Sequence, residues 1–330
     1  MSDVAAEVVA TREDAALFVL EGDFRRGVVE VTGRDATRWL DGMVTNDVTK
    51  LAASVEEGKG DGCYAALLTQ KGRIVADLHV LARPDGFWLE TAASAVPTVL
   101  ETLGRYIVAD DVDLADRSAA FVRVGVEGPR STERLAAAAS EGADALAAVE
   151  PEGWTTLTFG EGVAVVATRF GWSGETAWQL FVPAGSEASV ASAIGVRVAS
   201  LAALEVLRIE AGVPRLGPEL DEEVFPDEAR LDAAISRTKG CYTGQEIVAR
   251  LYSRGAVNHL LVQLELEGDA LPAADSPLLA GGKRTGEITS ACVSPTRGAL
   301  GLGYVRREHA EPGTELTWEG ADGSRKATVL

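Results

Sequence analysis

The stretch Lys239-Gly240-Cys241-Tyr242-Thr243-Gly244-Gln245-Glu246, continuing to Arg250 and Arg254-Gly255, is the most informative part of the chain for chemistry. Two glycines bracket a Cys-Tyr pair, a pattern that makes a tight turn and presents a thiol near the backbone. From Gly244 onward Gln-Glu-Ile-Val-Ala-Arg-Leu reads as a helix, with Gln245 and Glu246 in its first turn. Cys241 then falls just before a helix N-terminus, where the dipole and nearby Lys239 favour thiolate over thiol. The competing reading of Cys241 is a small buried hydrophobe, the common habit of free cysteine. Between Arg230 and Gly255 five basic residues (Arg230, Arg237, Lys239, Arg250, Arg254) accompany two acidic ones, Asp232 and Glu246. Such a positive island suits an anionic ligand or partner, or an ordinary ion-pair network.

A second candidate lies between Ile74 and Val80. At the period of a strand, Ile74, Ala76, Leu78 and Val80 share one face, and Val75, Asp77 and His79 the other, so a carboxylate stands beside an imidazole. Asp77 reads evenly as a reactive or a structural carboxylate, and His79 as a satisfied, partly buried histidine rather than a base. The remaining cysteines, Cys63 and Cys292, read as packing residues. Three cysteines and three histidines at no ligand spacing give no metal or cluster site.

The elements that position these residues follow a strand–helix rhythm. Strands are expected at 27–31, 64–68, 74–80 and 87–91, with helices at 35–43 and 94–106. The middle third continues with strands at 121–126, 163–169 and 176–182 and an Ala-rich helix after Pro129. A helix over 199–210 carries Leu201, Leu204, Val206, Leu207 and Ile209 on its apolar side and ends at Gly212 and Pro214. An acidic loop spans 217–226. The last ~75 residues alternate in short strands rich in glycine, the pattern of a small all-β barrel or roll. The fold class is α+β.

Composition bounds the function. The 330 residues carry a net charge of −19 with a pI near 4.6, which opposes general binding to nucleic acid or anionic membrane. Six of the 31 basic residues are Lys, leaving 25 Arg by subtraction; a dense acidic, Lys-poor surface suits a salt-rich cytoplasm, with GC-biased coding the other source. The N-terminus has neither a basic n-region nor an apolar h-region, and no apolar run has membrane-spanning length, so a cytoplasmic address is expected.

The octet KGCYTGQE, with Arg250 and Arg254-Gly255, resembles the defining motif of the YgfZ family of iron–sulfur assembly factors. Nearly the full chain is similar to the wider superfamily of the glycine-cleavage T-protein, an aminomethyltransferase. The similar elements are Leu40-Asp41-Gly42 with Thr45-Asn46-Asp47-Val48, Tyr64–Leu68, 72–80, Arg169-Phe170-Gly171-Trp172-Ser173-Gly174-Glu175 and Leu207–Gly212. Thr289-Ser290, Ser294-Pro295 and Leu302–Val305 are similar to its last domain. The resemblance implies a three-domain ring around a central tetrahydrofolate site. It implies a discontinuous first domain (1–50 plus about 200–254), a ferredoxin-like second domain (51–199) and a C-terminal β-barrel domain (255–330).

It also implies site residues. Glu175 would accept the pterin amino and ring N–H donors, and Arg208 would meet the pterin carbonyl or hold Glu175. Asp77 would face the folate nitrogens that carry the one-carbon unit, while Tyr64 and Trp172 pack against flat rings. Asn46, Lys239, Tyr242, Gln245, Arg250 and Arg254 complete the folate-binding set, the basic island receiving the anionic glutamate tail. The bland readings are a solvated Glu175 and an Arg208 that pairs on the helix surface with Glu205 at i−3. The T-protein has two adjacent aspartates where this chain has Ala76-Asp77.

The leading functional expectation is a tetrahydrofolate-binding accessory protein for assembly or repair of client iron–sulfur enzymes, with Cys241 as its functional thiol. The alternative is a transferase that moves an aminomethyl group from a lipoyl carrier protein to tetrahydrofolate. The third is a folate-binding regulator without chemistry.

Overall fold

The computed structural model describes residues 3–255, 257–268, 270–320 and 323–330. The expected role of the Arg254 side chain lies outside the described residues. Among them the chain forms two open sheets and a closed barrel of six strands. It is an α+β fold with a C-terminal β-barrel.

The five-stranded sheet runs Gly62–Leu68, Ile74–Arg83, Gly86–Ala92, Arg26–Thr32, Asp113–Asp116, all neighbours antiparallel. From Ala76 onward strand Ile74–Arg83 alternates as period two demands, but a register shift against Leu67 and Leu68 corrects the expected faces at its start: Val75 joins Ala76 in the core and Ile74 packs with Ala66 and Leu68 instead. Ala76, Leu78 and Val80 enter the core beneath helices Ala36–Asp41 and Val96–Gly104, and Asp77 and His79 turn to the opposite face. That opposite face meets a seven-stranded sheet ordered Arg197–Val198, Ala16–Val19, Phe121–Glu127, Ala177–Pro183, Val163–Thr168, Trp154–Phe159, Lys59–Gly60. Val28 and Leu81 of the first sheet pack on Trp154, Val166 and Phe181 of the second.

Two connections complete the scaffold. Helix Leu201–Ala211 is capped by Ser200, whose hydroxyl accepts from the Ala203 amide, and it ends on left-handed Gly212. The N-terminal helix Asp3–Glu13 packs on it through Val8 from one side, while barrel residues Leu261, Cys292, Leu300 and Leu302 pack from the other. The segment from Leu220 to Val248 covers Ala66, Leu68 and Ile74 of the five-stranded sheet.

Candidate functional site

Where the two sheets and the chain after helix Leu201–Ala211 meet, a cavity of about 170 Å³ opens. Tyr64, Asp77 and His79 line it from the five-stranded sheet. Glu152, Phe170, Gly171 and Trp172 come from turns of the other sheet, and Val213, Pro214 and Leu231 close it. Its walls are mostly aromatic and aliphatic with a few convergent polar groups, the usual make-up of a small-molecule site.

Among the described residues, two fully buried polar atoms of that lining lack protein partners. Asp77 is 2% exposed; its Oδ2 accepts from the Tyr64 hydroxyl at 3.3 Å, and its buried Oδ1 accepts nothing. The indole N–H of buried Trp172 likewise donates to nothing. Leaving such groups unpaired costs about 1–3 kcal/mol each, so the site holds one acceptor and one donor in want of a ligand. Burial, then the adjacent Asp77 charge, keeps the Tyr64 phenol well above its ordinary range, so it stays a donor.

The imidazole of His79 stacks on Phe170 with centroids 3.5 Å apart and planes 7° apart, and tilts against Tyr64 at 4.9 Å. Its Nδ1 lies 2.6 Å from Glu152 Oε2.

The loop that carries Phe170 and Trp172 is pinned by a buried carboxylate. Glu127 accepts from the Trp172 amide at 3.0 Å, the Ser173 amide at 2.7 Å and Gln179 Nε2 at 2.9 Å. Burial raises its carboxyl despite those bonds. Only glycine fits at 171: a Cβ there would stand 2.1 Å from the Ala177 Cβ and 2.9 Å from Glu127.

Of the residues expected from sequence, the fold brings Tyr64, Asp77 and Trp172 together around this cavity, and it places the others elsewhere. Glu175 is a third exposed and gives its Oε1 to Arg12 at 2.7 Å, a residue that also holds Glu210 at 2.7 Å. Arg208 is fully buried, and all five of its N–H donors are taken. Nε and Nη2 bind Glu205, Nη1 binds Glu219 and the Val213 carbonyl, and Nη2 also reaches Ser290. It has no donor left for a pterin carbonyl, and Arg12 rather than Arg208 holds Glu175. The Glu205 pair exists, but inside the protein rather than on a helix surface.

The octet is also organised differently from its sequence reading. The Lys239 side chain is 1% exposed and donates to the carbonyls of Asp41, Val44 and Asn46, with Asp41 Oδ1 at 2.9 Å. Its charge is therefore spent on the loop at 41–46 and not on Cys241, which is exposed. Asn46 braces the same loop, donating to the carbonyls of Tyr64 and Ala233. Arg237 pairs with Asp227 at 2.7 Å and Arg250 with Glu246 at 2.6 Å, so with Lys239 three of the island's five charges are paired within the fold. Tyr242 is buried with Ala66, Leu68 and Ile74, and Gln245 opens helix Gln245–Arg254, which joins the same cluster through Val248 and leaves Gln245 out of the cavity lining. Glu152, Phe170, Val213, Pro214 and Leu231 were not expected at the site; they come from loops and turns whose convergence is tertiary. Phe170 alone had a signal, lying inside the stretch Arg169–Glu175.

Residues 1–239 match the family model of the GCVT N-terminal domain, and residues 260–330 that of the glycine cleavage T-protein C-terminal barrel domain. The chain belongs to the glycine cleavage T-protein family. A relative in Rubrobacter xylanophilus, named aminomethyltransferase, is 31% identical over 318 residues, covering 95% of this chain and 82% of its own. One in Streptomyces avermitilis with the same name is 31% identical over 320 residues, covering 93% and 82%. The crystal structure of glycine cleavage system aminomethyltransferase T from Bartonella henselae superposes with a TM-score of 0.83 at 22% identity, covering 99% of this chain and 88% of that one. These relatives overturn the leading expectation of an iron–sulfur accessory role, because proteins aligned along nearly the whole T-protein chain carry the transferase name. The octet covers only 239–246, whereas the relatives align along nearly the whole chain. Among the described residues no helix is long and apolar enough to cross a membrane.

Proposed function

We propose that the protein transfers an aminomethyl group from a lipoyl carrier protein to tetrahydrofolate, with the acceptor's ring system in the cavity around Asp77. The observation that carries this reading is the unpartnered, buried Asp77 Oδ1 in an aromatic-walled cavity. About 170 Å³ is less than the ~300–1,000 Å³ that encloses a whole drug-sized ligand, so the cavity suits a fused ring pair with the remainder of the molecule outside. Such a ring pair offers N–H donors to Asp77 and ring acceptors to the Trp172 indole, the two groups that lack partners. The names of the relatives support the same reading. The octet supports a place in the YgfZ branch of the family, without that branch's iron–sulfur role.

Tetrahydrofolate, when bound, supplies the nucleophilic nitrogens that take up the one-carbon unit. Asp77 holds an N–H there and offsets positive charge that develops beside it, and the Tyr64 hydroxyl fixes the carboxylate's orientation. Phe170 and Trp172 exclude water, which strengthens both effects. Glu175 and Arg208 act at a distance by joining helices, loop and barrel. Cys241 has no part in the transfer.

The test is turnover with aminomethylated lipoyl carrier protein and tetrahydrofolate. Wild-type protein and Cys241→Ser should turn over equally, and Asp77→Asn should lose about 10²–10⁴-fold in kcat. Binding of tetrahydrofolate with no turnover by the wild type would leave the regulator reading in its place.

A further inference from the structure

The lining holds one ionisable pair that the reading above leaves idle. His79 and Glu152 come from different sheets and meet at 2.6 Å through Nδ1 and Oε2. The geometry points to His79 as a proton acceptor in this site, with Glu152 as its positioning residue; the proposal rests on the aminomethyl-transfer reading.

Three features build the pair. Glu152 sits at φ +67°, a left-handed backbone that a residue with a side chain adopts only when its surroundings impose it. The surroundings are visible. The Glu152 amide donates to the Arg169 carbonyl and the Arg169 amide to the Gly153 carbonyl, each at 3.0 Å, which laces the Glu152 turn to the residue before Phe170. On the other side Gly62 lies so close that a Cβ there would stand 2.2 Å from the Glu152 carbonyl. Phe170 then stacks flat on the imidazole and Tyr64 lies tilted against it. Stack and carboxylate together orient the ring.

The chemistry follows from the tautomer. A carboxylate at Nδ1 demands a proton there, so Nδ1–H donates to Glu152 and Nε2 carries the free lone pair. Among the described residues Nε2 has no hydrogen-bond partner, and His79 lines the cavity next to Asp77 on the same strand face. In the transfer a nitrogen–carbon bond forms as the carbon–sulfur bond breaks. The proton leaving the acceptor nitrogen ends on the departing sulfur. His79 Nε2 takes that proton from the first and returns it to the second, so the pair is unchanged after each cycle.

The ionisable groups facing the imidazole are Tyr64 on the neighbouring strand, Asp77 on its own, Glu90 opposite it on strand Gly86–Ala92, and Glu152, with Arg26 and Arg123 against Glu90 behind them.

The experiment uses the full chain, ¹⁵N-labelled, whose three histidines (His79, His259, His309) keep the imidazole spectrum readable. The His79 signal, assigned by its loss in His79→Gln, should report a protonated Nδ1 and a bare Nε2, and Glu152→Gln should redistribute the proton between them. Tetrahydrofolate affinity, read by calorimetry, should stay within a few-fold of wild type in both variants. The kcat should fall by about 10²-fold in His79→Gln. In wild type kcat should decline on the acid side as His79 takes a proton; that limb should vanish in His79→Gln and move in Glu152→Gln. A proton on Nε2 in the wild type, or an acid limb that survives in His79→Gln, overturns the proposal while leaving the transfer reading intact. Absence of turnover by the wild type removes the transfer reading and the proposal with it.

Discussion

Replacing Glu90 by Gln should be among the most damaging single changes outside the cavity. Between the two sheets Glu90 receives Arg26 through Nε and Nη2 at 3.0 and 2.9 Å, and Arg123 Nη2 lies 3.4 Å from the same carboxylate. None of the three side chains is more than 2% exposed. Among the described residues Arg123 has no hydrogen-bond acceptor for its nitrogens; it rests on the Phe181 ring, and burial pulls its guanidinium down to about 10. Glu90→Gln keeps the shape but removes the one negative charge that two buried cations share. Breaking a buried pair from one side costs about 3–5 kcal/mol. At roughly 2 °C per kcal/mol, suited to a chain of this size, thermal unfolding followed by circular dichroism at neutral pH should shift down by about 6–10 °C. Burial favours the neutral Glu90 acid, but Arg26, Arg123 and His79 outweigh it and lower its pKa below the ordinary 4.5. Its stabilisation is therefore complete above 4.5 and fades as pH falls through the lower folded value, so the gap between variant and wild type should close in acid. A gap under 2 °C at neutral pH, or one that does not narrow in acid, would refute the reasoning.

The thiols should separate cleanly in a native labelling assay. Burial pushes both Cys63 and Cys292 up to about 12, whereas Cys241 is exposed, so one thiol per chain should react quickly with a disulfide reagent, and none in Cys241→Ser. Gly171→Ala should lower both stability and tetrahydrofolate affinity, because the added methyl lands 2.1 Å from the Ala177 Cβ and displaces the loop that carries Trp172; differential scanning calorimetry and ligand titration check the two effects. Arg208→Lys should cost about 2–4 kcal/mol in denaturant unfolding, since three ammonium donors cannot replace five in a planar fork that binds Glu205, Glu219 and Ser290 together.

Much of the scaffold was legible in the sequence because period-two and helical patterns report burial directly. The strand at 74–80 put Asp77 and His79 on one face, and the helix at 199–210 stopped at Gly212, as the structure has them. What was not legible is who sits opposite. The i−3 spacing predicted the Arg208–Glu205 pair but carries no trace of Glu219 or Ser290, which lie 11 and 82 residues away and turn a surface pair into a buried knot. Arg12 carried no local signal because the Val and Ala residues of its helix are not gathered on one face, and its partners Glu175 and Glu210 are more than 160 residues distant. Lys239 misled for the same reason: adjacency to Cys241 suggested a shared microenvironment, while its ammonium reaches back to residues 41–46. His79 read as a satisfied, partly buried histidine, and it has a partner, but that partner is Glu152 of the other sheet, which like Phe170 no local pattern points to.

The central claim is that the cavity around Asp77 receives tetrahydrofolate, and calorimetric titration of tetrahydrofolate into wild-type protein, Asp77→Asn and Glu175→Ala tests it most directly. Saturable binding by the wild type, weakened at least tenfold in Asp77→Asn and little changed in Glu175→Ala, is the predicted result. Binding that survives Asp77→Asn but is lost in Glu175→Ala would contradict it and move the site to the Arg12–Glu175–Glu210 cluster.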